Sequence, residues 1–390
     1  MANARHTVHK LPESSTFECI ALLLQGGGAL GAYQAGVYQA LSEARLQPDW
    51  VAGISIGAIN AALIAGNTPE TRVAKLRTFW ERITPLQPLD NIAKLGPASW
   101  MRGEISRGLL NHLSAGAAIV AGVPSFFEPR FPTAWLQPPG SLEATSHYDT
   151  ARLKSTLEEL IDFELLNSGK TRFSVGAVNV TSGNFVYFDN TTHTIRPEHV
   201  MASGALPPAL PAIEIEGEFY WDGGLVSNTP LQWVLESEPQ RDTLAFQVDL
   251  WNARGAFPRT VAEVTTRQKE IQYSSRTRSN SDRFRYTQKL RNSFASLLEK
   301  LPAELQNLPE LEVLRPAASA KAYNIVQLIY RAQGYEGDYK DYEFSRLSME
   351  EHWRAGYHDT VRMLRHPEVL QRPDNIEGVL TFDLGQHGRE

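Results

Sequence analysis

The sequence predicts an α/β fold built on a mixed central sheet, with a mainly helical C-terminal extension. Three observations carry this. Short apolar runs near residues 20, 51, 173, 218 and 244 are interleaved with helical patterns. Two of those runs pass straight into helices through glycine turns, at Gly26–Gly31 and Gly53–Gly57. Beyond Trp251 the character changes to basic and amphipathic helical segments.

The first run, Ile20-Ala21-Leu22-Leu23-Leu24, reads as a fully buried strand, too short to span a membrane. It enters Gln25-Gly26-Gly27-Gly28-Ala29-Leu30-Gly31, and a helical pattern follows from Ala32 to Ala44. Consecutive glycines at such a turn let backbone N–H groups approach an anionic group. In an acyl-transfer enzyme that group is the tetrahedral oxyanion, where one good donor lowers the barrier by about 3 kcal/mol. Next, Trp50-Val51-Ala52 approaches Gly53-Ile54-Ser55-Ile56-Gly57, and small residues follow through Ala65. Strand, sharp turn and helix with Ser55 at the turn is the context of a nucleophile elbow. The same residues also fit an ordinary glycine-rich strand-helix connection.

Residues 84–141 form a proline- and aromatic-rich insertion, with Pro85, Pro88, Pro97, Trp100, Phe126, Phe127, Phe131 and Trp135. Proline density excludes one long helix but leaves room for a short one over 105–120. Such an insertion is either a lid or acyl-channel wall beside an active site, or packing of aromatics onto the domain. Leu153, Leu157, Leu160 and Ile161 predict an amphipathic helix, and Arg172–Val180 with Phe185–Phe188 predicts a hairpin. Phe219-Tyr220-Trp221 then ends in Asp222-Gly223-Gly224, which puts an acid on a tight turn at a sheet edge. Asp222 there is either a general base that takes the Ser55 proton directly or an Asx-turn acid capping its own backbone.

In the extension, residues 259–291 hold nine Lys or Arg against three acids, a local +6 within a chain of net −6. Such a run is a solvated face or a patch that meets anionic headgroups. Tyr286, Leu290, Phe294, Leu297 and Leu301 form a helical stripe that is expected to be core, and a further helix runs through Leu347, Trp353 and Tyr357. His352, His358 and His366 are expected on exposed helix faces.

Taken together, these motifs resemble the patatin-like phospholipase family, in particular a bacterial subgroup with a C-terminal extension. Gly26, Gly27, Gly28, Ala29 and Gly31 match its oxyanion loop; Gly53, Ile54, Ser55, Ile56 and Gly57 match its elbow. Asp222, Gly223 and Gly224 match the acid-glycine motif of its serine–aspartate dyad, and Ala202–Pro207 matches the turn before that acid. The resemblance covers about residues 17–250. It implies a three-layer α/β/α sandwich and hydrolysis of lipid acyl esters by Ser55 and Asp222, without metal or organic cofactor. Leu30 stands where many members carry Lys or Arg, so a phosphate headgroup is less secure than an acyl ester in general.

On this reading the chain divides into a tail (1–16), a catalytic domain (17–250) and the extension (251–390). The lone Cys19, the polar opening residues and the lack of an 18-residue apolar run predict a cytoplasmic protein, peripheral at most to the inner membrane. The net charge of −6 gives no reason to bind nucleic acid.

Competing functions make definite demands. Gly26-x-Gly28-x-x-Gly31 fits a dinucleotide fingerprint, but Asp49 precedes the second strand where the ribose-binding acid should end it. A Ser-acid-His hydrolase needs a presented histidine after Asp222, and a zinc hydrolase needs a His/Cys cluster absent from the sequence. A catalytically silent membrane scaffold would use the basic segment and the apolar insertion.

Overall fold

The computed structural model describes residues 16–84, 104–274, 277–305 and 308–383. The N-terminal tail to residue 15, Pro85, Pro88, Pro97 and Trp100 lie outside the described residues, as do the side chains of Arg276 and Arg278.

Eleven strands are described: β1 Cys19–Leu24, β2 Trp50–Gly53, β3 Glu128–Pro129, β4 Tyr148–Asp149, β5 Arg172–Asn179, β6 Phe185–Asp189, β7 Ile213–Ile215, β8 Glu218–Asp222, β9 Thr243–Asp249, β10 Tyr323–Ile329 and β11 Val379–Phe382. Nine form one mixed sheet in the order β11-β10-β9-β1-β2-β5-β8-β7, with β6 also on β5. The pairs from β11 through β5 are parallel, and β6, β7 and β8 enter antiparallel.

Strand alternation divides the core between two faces. In β1, Ile20, Leu22 and Leu24 pack with Tyr33, Ile59, Leu63 and Trp353, whereas Cys19, Ala21 and Leu23 join Leu235, Phe284 and Ile325. The helices Ala32–Glu43, Ile56–Ala65 and Arg346–Met363 therefore cover one face. Leu231–Glu236 and Thr277–Lys300 cover the other, which completes the α/β/α sandwich. Burial on both faces is why β1 reads as an unbroken apolar run and β9 is apolar from Leu244 to Phe246.

The C-terminal region is mainly helical, yet the sheet runs on through it. β10 lies parallel on β9 from Tyr323↔Thr243 to Ile329↔Asp249, and β11 follows it. The helix Arg346–Met363 packs against Ala32–Glu43 so closely that a Cβ on Gly36 would come 1.9 Å from the Trp353 carbonyl oxygen. Such tight backbone approach makes the two helices one packing unit.

Two sequence expectations are corrected here. The stripe through Tyr286, Leu290 and Leu297 is exposed, because Thr277–Lys300 turns Phe284 and Gln288 toward the sheet instead. His352 is buried, 3% exposed, against Tyr330 and Glu336.

Candidate active site

Strand register brings the two ends of the site together. Val175 of β5 lies opposite Gly53 on one edge and Phe188 on the other; Ala177 lies opposite Asp222 and Val186. Since β6 occupies one edge throughout, β2 and β8 share the other and run toward each other. Their last residues, Gly53 and Asp222, end two β5 positions apart, about 6.6 Å at strand rise. Gly176 sits at the gap, and a Cβ on Gly223 would come 2.6 Å from its carbonyl oxygen.

Ser55 occupies the turn out of β2 at φ 57°, ψ −126°. A non-glycine residue there stores roughly 1–3 kcal/mol of strain, which its surroundings must overcome. They do so by contact and by hydrogen bonds. A Cβ on Gly53 would lie 2.2 Å from the Gly57 carbonyl oxygen, and one on Gly57 the same distance from that of Leu24. Ile54 and Ile56 are buried on either side. The Ser55 N–H donates to both the carbonyl and the hydroxyl oxygen of Ser203, at 3.1 Å each, while Ser203 Oγ donates to the Gly176 carbonyl at 2.7 Å. Ser203 thus ties the Ala202–Pro207 turn to both the elbow and the strand gap. The helix Ile56–Ala65 begins directly after Ser55, with its N-terminal dipole favouring negative charge there.

Asp222 is 2% exposed, and its carboxylate accepts the Ser55 side chain and, at 2.7 Å, the Gly224 N–H. Burial pushes its carboxyl up to about 6, against the opposing effect of those two hydrogen bonds. The Asx-turn bond and the serine contact therefore coexist on one carboxylate.

The glycine loop is less uniform than its sequence. The Gly26 N–H donates to the Asn228 carbonyl at 3.3 Å, and the Ala29 N–H to the Asp341 carbonyl at 2.8 Å. Among the described residues no acceptor takes the N–H of Gly27 or Gly28, and both line the cavity that holds Ser55 and Asp222. The expectation that Gly26 and Ala29 belong to the oxyanion donors is thus corrected: carbonyls far along the chain already occupy their N–H groups. Gly31 lies outside the cavity lining, close-packed under Ile56, where a Cβ would meet the side chain at 2.6 Å.

The cavity measures about 290 Å³. Phe126, Phe127, Tyr148, Leu206, Leu210 and Phe344 are among the residues of its apolar wall, with Phe127 edge-on to Tyr148 at 4.9 Å. Both alternatives for the insertion thus hold in part. Phe126 and Phe127 pack into the wall, while Phe131 and Trp135 are 97% and 87% exposed.

Sequence reasoning missed Gln25 and Asn228. Gln25 Oε1 accepts the N–H groups of Leu250 and Trp251 at 2.6 and 3.0 Å, and its Nε2 donates to Thr229 Oγ1 at 2.9 Å. Asn228 Nδ2 donates to the carbonyls of Gly26 and Tyr273, at 3.1 and 2.9 Å. A buried amide at the end of an all-apolar strand was the available signal for Gln25. Asp49 takes the Ile20 N–H at the start of β1, at the opposite end of the strands from the glycine loop, which removes the dinucleotide geometry. Among the described residues no group of His, Cys, Asp and Glu could hold a metal ion. Nor is any described helix long and apolar enough to cross a membrane.

A family model described as patatin-like phospholipase matches residues 22–234, and a second, described as patatin phospholipase, matches residues 271–376. The chain is similar to lysophospholipase nte1 of Aspergillus terreus, 46% identical over 57 residues, 15% of this chain and 4% of that protein. It is likewise similar to neuropathy target esterase sws of Drosophila melanogaster, 35% identical over 80 residues, 20% of this chain and 6% of that protein. The matched segments are thus a small part of both curated relatives. The solved structure of VipD from Legionella pneumophila aligns with 95% of this chain and 73% of its own, at 16% identity and a TM-score of 0.39.

Proposed function

The chain belongs to the patatin-like phospholipase family, and on that premise we propose that it is a serine hydrolase of carboxylic acyl esters in lipids. Ser55 is the nucleophile and Asp222 its base. The observation that carries this reading is the Ser55 hydroxyl on a buried carboxylate, beside two N–H groups without acceptors in an apolar cavity. Ser55 Oγ attacks the ester carbonyl as Asp222 takes its proton. The carbonyl oxygen becomes an oxyanion held by the N–H groups of Gly27 and Gly28. Collapse breaks the ester C–O bond, and Asp222 returns the proton to the departing alcohol. Water then attacks the acyl-enzyme with Asp222 again as base, which releases the acid and restores Ser55.

A carboxyl near 6 is suited to this exchange, since a base and acid of matched strength must both take and give the proton near neutral pH. The base must be ionised to act. On a short soluble ester, kcat/KM is therefore expected to rise with pH along a limb centred near 6 and to level off above it. A limb near 4, or one near 7 that survives Asp222→Asn, would assign the proton transfer elsewhere.

The acyl group fits the aromatic wall. Leu30 is buried in the core, so that loop position presents no cation to a phosphate, and esters without phosphate, such as hydroxyacid oligomers, are a second substrate class. Hydrolysis of short esters, lysophospholipids, diacyl phospholipids and hydroxyacid oligomers by the native chain and by Ser55→Ala tests both. The reading predicts Ser55-dependent release of acid from at least one lipid ester; no Ser55-dependent release from any would overturn it.

We place the protein among bacterial members of the family, in the cytoplasm, with peripheral contact to the inner membrane. The exposed Phe131 and Trp135 support that contact, being linked to the cavity through His147, whose ring lies 6.5 Å from Trp135 and which precedes the wall residue Tyr148. The basic segment supports it less, because Lys269 pairs with Asp341, Arg267 with Glu270, and Arg285 with Asp282 and Glu377. Phe131→Ser with Trp135→Ser is expected to lower binding to phospholipid vesicles at least tenfold, with turnover of a short soluble ester unchanged. Unchanged vesicle binding would remove the contact.

A further inference from the structure

We infer that Asp341, held by Lys269, and His352 brace the outer side of the oxyanion loop, with His352 and Lys269 as positioning residues that hold Ala29 from its two sides. The inference rests on the assignment of Gly27 and Gly28 as oxyanion donors. It goes further, because it gives the C-terminal region a part in the chemistry.

On one side, the Ala29 N–H donates to the Asp341 carbonyl at 2.8 Å, and Gly28 lies so near that a Cβ on it would come 2.0 Å from that oxygen. Asp341 is itself fixed: Lys269 Nζ donates to its two carboxylate oxygens at 2.9 and 3.2 Å and to the Asp338 carbonyl at 2.7 Å. On the other side, the buried His352 ring reaches the Ala29 carbonyl. Glu336 lies behind the ring, with Oε2 3.6 Å from Nε2 and Oε1 accepting the Tyr330 hydroxyl at 2.6 Å. Tyr330 also packs edge-on to the imidazole at 5.0 Å.

The His352 contacts are long, and Nδ1 has no partner at ordinary hydrogen-bond length. The ring therefore acts by charge more than by directional bonding. Burial alone would lower its pKa, but Glu336, with Glu343 and the Ala29 carbonyl, holds it above the ordinary value. A cation against the Ala29 carbonyl and an acceptor on the Ala29 N–H fix the two peptides that flank Ala29. The first of these, Gly28–Ala29, anchors the C-terminal end of the Gly27–Gly28 segment and so limits how its N–H groups can turn away from the cavity.

Hydrogen exchange and steady-state kinetics on the full chain test this, with His352→Leu and Lys269→Gln made separately. Lys269 is partly exposed, so its variant retains the fold if the buried substitution does not. Expected is at least tenfold faster exchange in the peptide covering 25–31, with the β1 and β9 peptides unchanged. Alongside it, kcat should fall about tenfold and KM change less than twofold. Unaltered exchange in the loop of a folded variant, or a loss confined to KM, would overturn the inference. Hydrolysis that persists in Ser55→Ala would instead overturn the active-site assignment, and the exchange result would still decide the brace.

Discussion

Asp222→Asn is expected to abolish ester hydrolysis, by about a thousandfold or more, and at the same time to stabilise the protein above pH 6. The loss follows because serine and base act as a unit, so that removing either costs nearly as much as removing both. Ser55→Ala should match it. The stability gain follows from burial. A carboxyl at about 6 when folded, against the ordinary 3.8, favours folding while protonated and loses that advantage as pH rises between those values. Above pH 6 the ionised group costs the fold roughly 3 kcal/mol, which an amide does not. Thermal melts at pH 8 should show the variant above the native chain, and melts at pH 4 should show the difference nearly gone. A variant that is inactive but less stable at pH 8 would mean that the Gly224 and Ser55 bonds outweigh the burial of charge. Near-normal turnover in Asp222→Asn would end the two-residue mechanism.

Gly28→Val should depress kcat by about a hundredfold or more, through loss of donors that act mainly on the transition state. The structure supplies two reasons. Gly28 sits at φ +55°, where a β-branched residue is strained, and its Cβ would fall 2.0 Å from the Asp341 carbonyl oxygen. The loop must move off Asp341, which re-aims both free N–H groups and breaks the Ala29 bond. Some stability should be lost as well, on the order of 1–3 kcal/mol. Steady-state rates on a short soluble ester separate the outcomes, since a rise in KM with kcat preserved would make the glycines substrate-positioning elements only.

Much of this arrangement was legible because it is encoded locally. Gly53 and Gly57 announce a strand-helix crossing so close that a Cβ on either would lie 2.2 Å from a carbonyl oxygen, and the doubly buried β1 reads as a continuous apolar run. What stayed hidden depends on partners distant in sequence. Nothing near Gly26 or Ala29 reveals that Asn228 and Asp341 take their N–H groups, so the donor set was read too wide. The periodicity around His352 shows a helix but not which face is covered: Trp353 and Gly356 meet the helix Ala32–Glu43 from the other end of the chain, and His352 meets Tyr330 and Glu336. Tyr286 and Leu290 erred in the opposite sense, since an apolar stripe marks a face without saying that anything meets it. The strand Tyr323–Ile329 joins the sheet only because β9 leaves an edge open beside it.

Labelling of the full chain with a fluorophosphonate probe, followed by peptide mass mapping, tests the central assignment most directly. The probe needs a serine activated in place and an oxyanion site for its phosphoryl oxygen. The account predicts one adduct, on Ser55, formed at least a hundredfold more slowly in Asp222→Asn and absent in Ser55→Ala. An adduct on another serine, no adduct at all, or undiminished labelling of Ser55 in Asp222→Asn would contradict it.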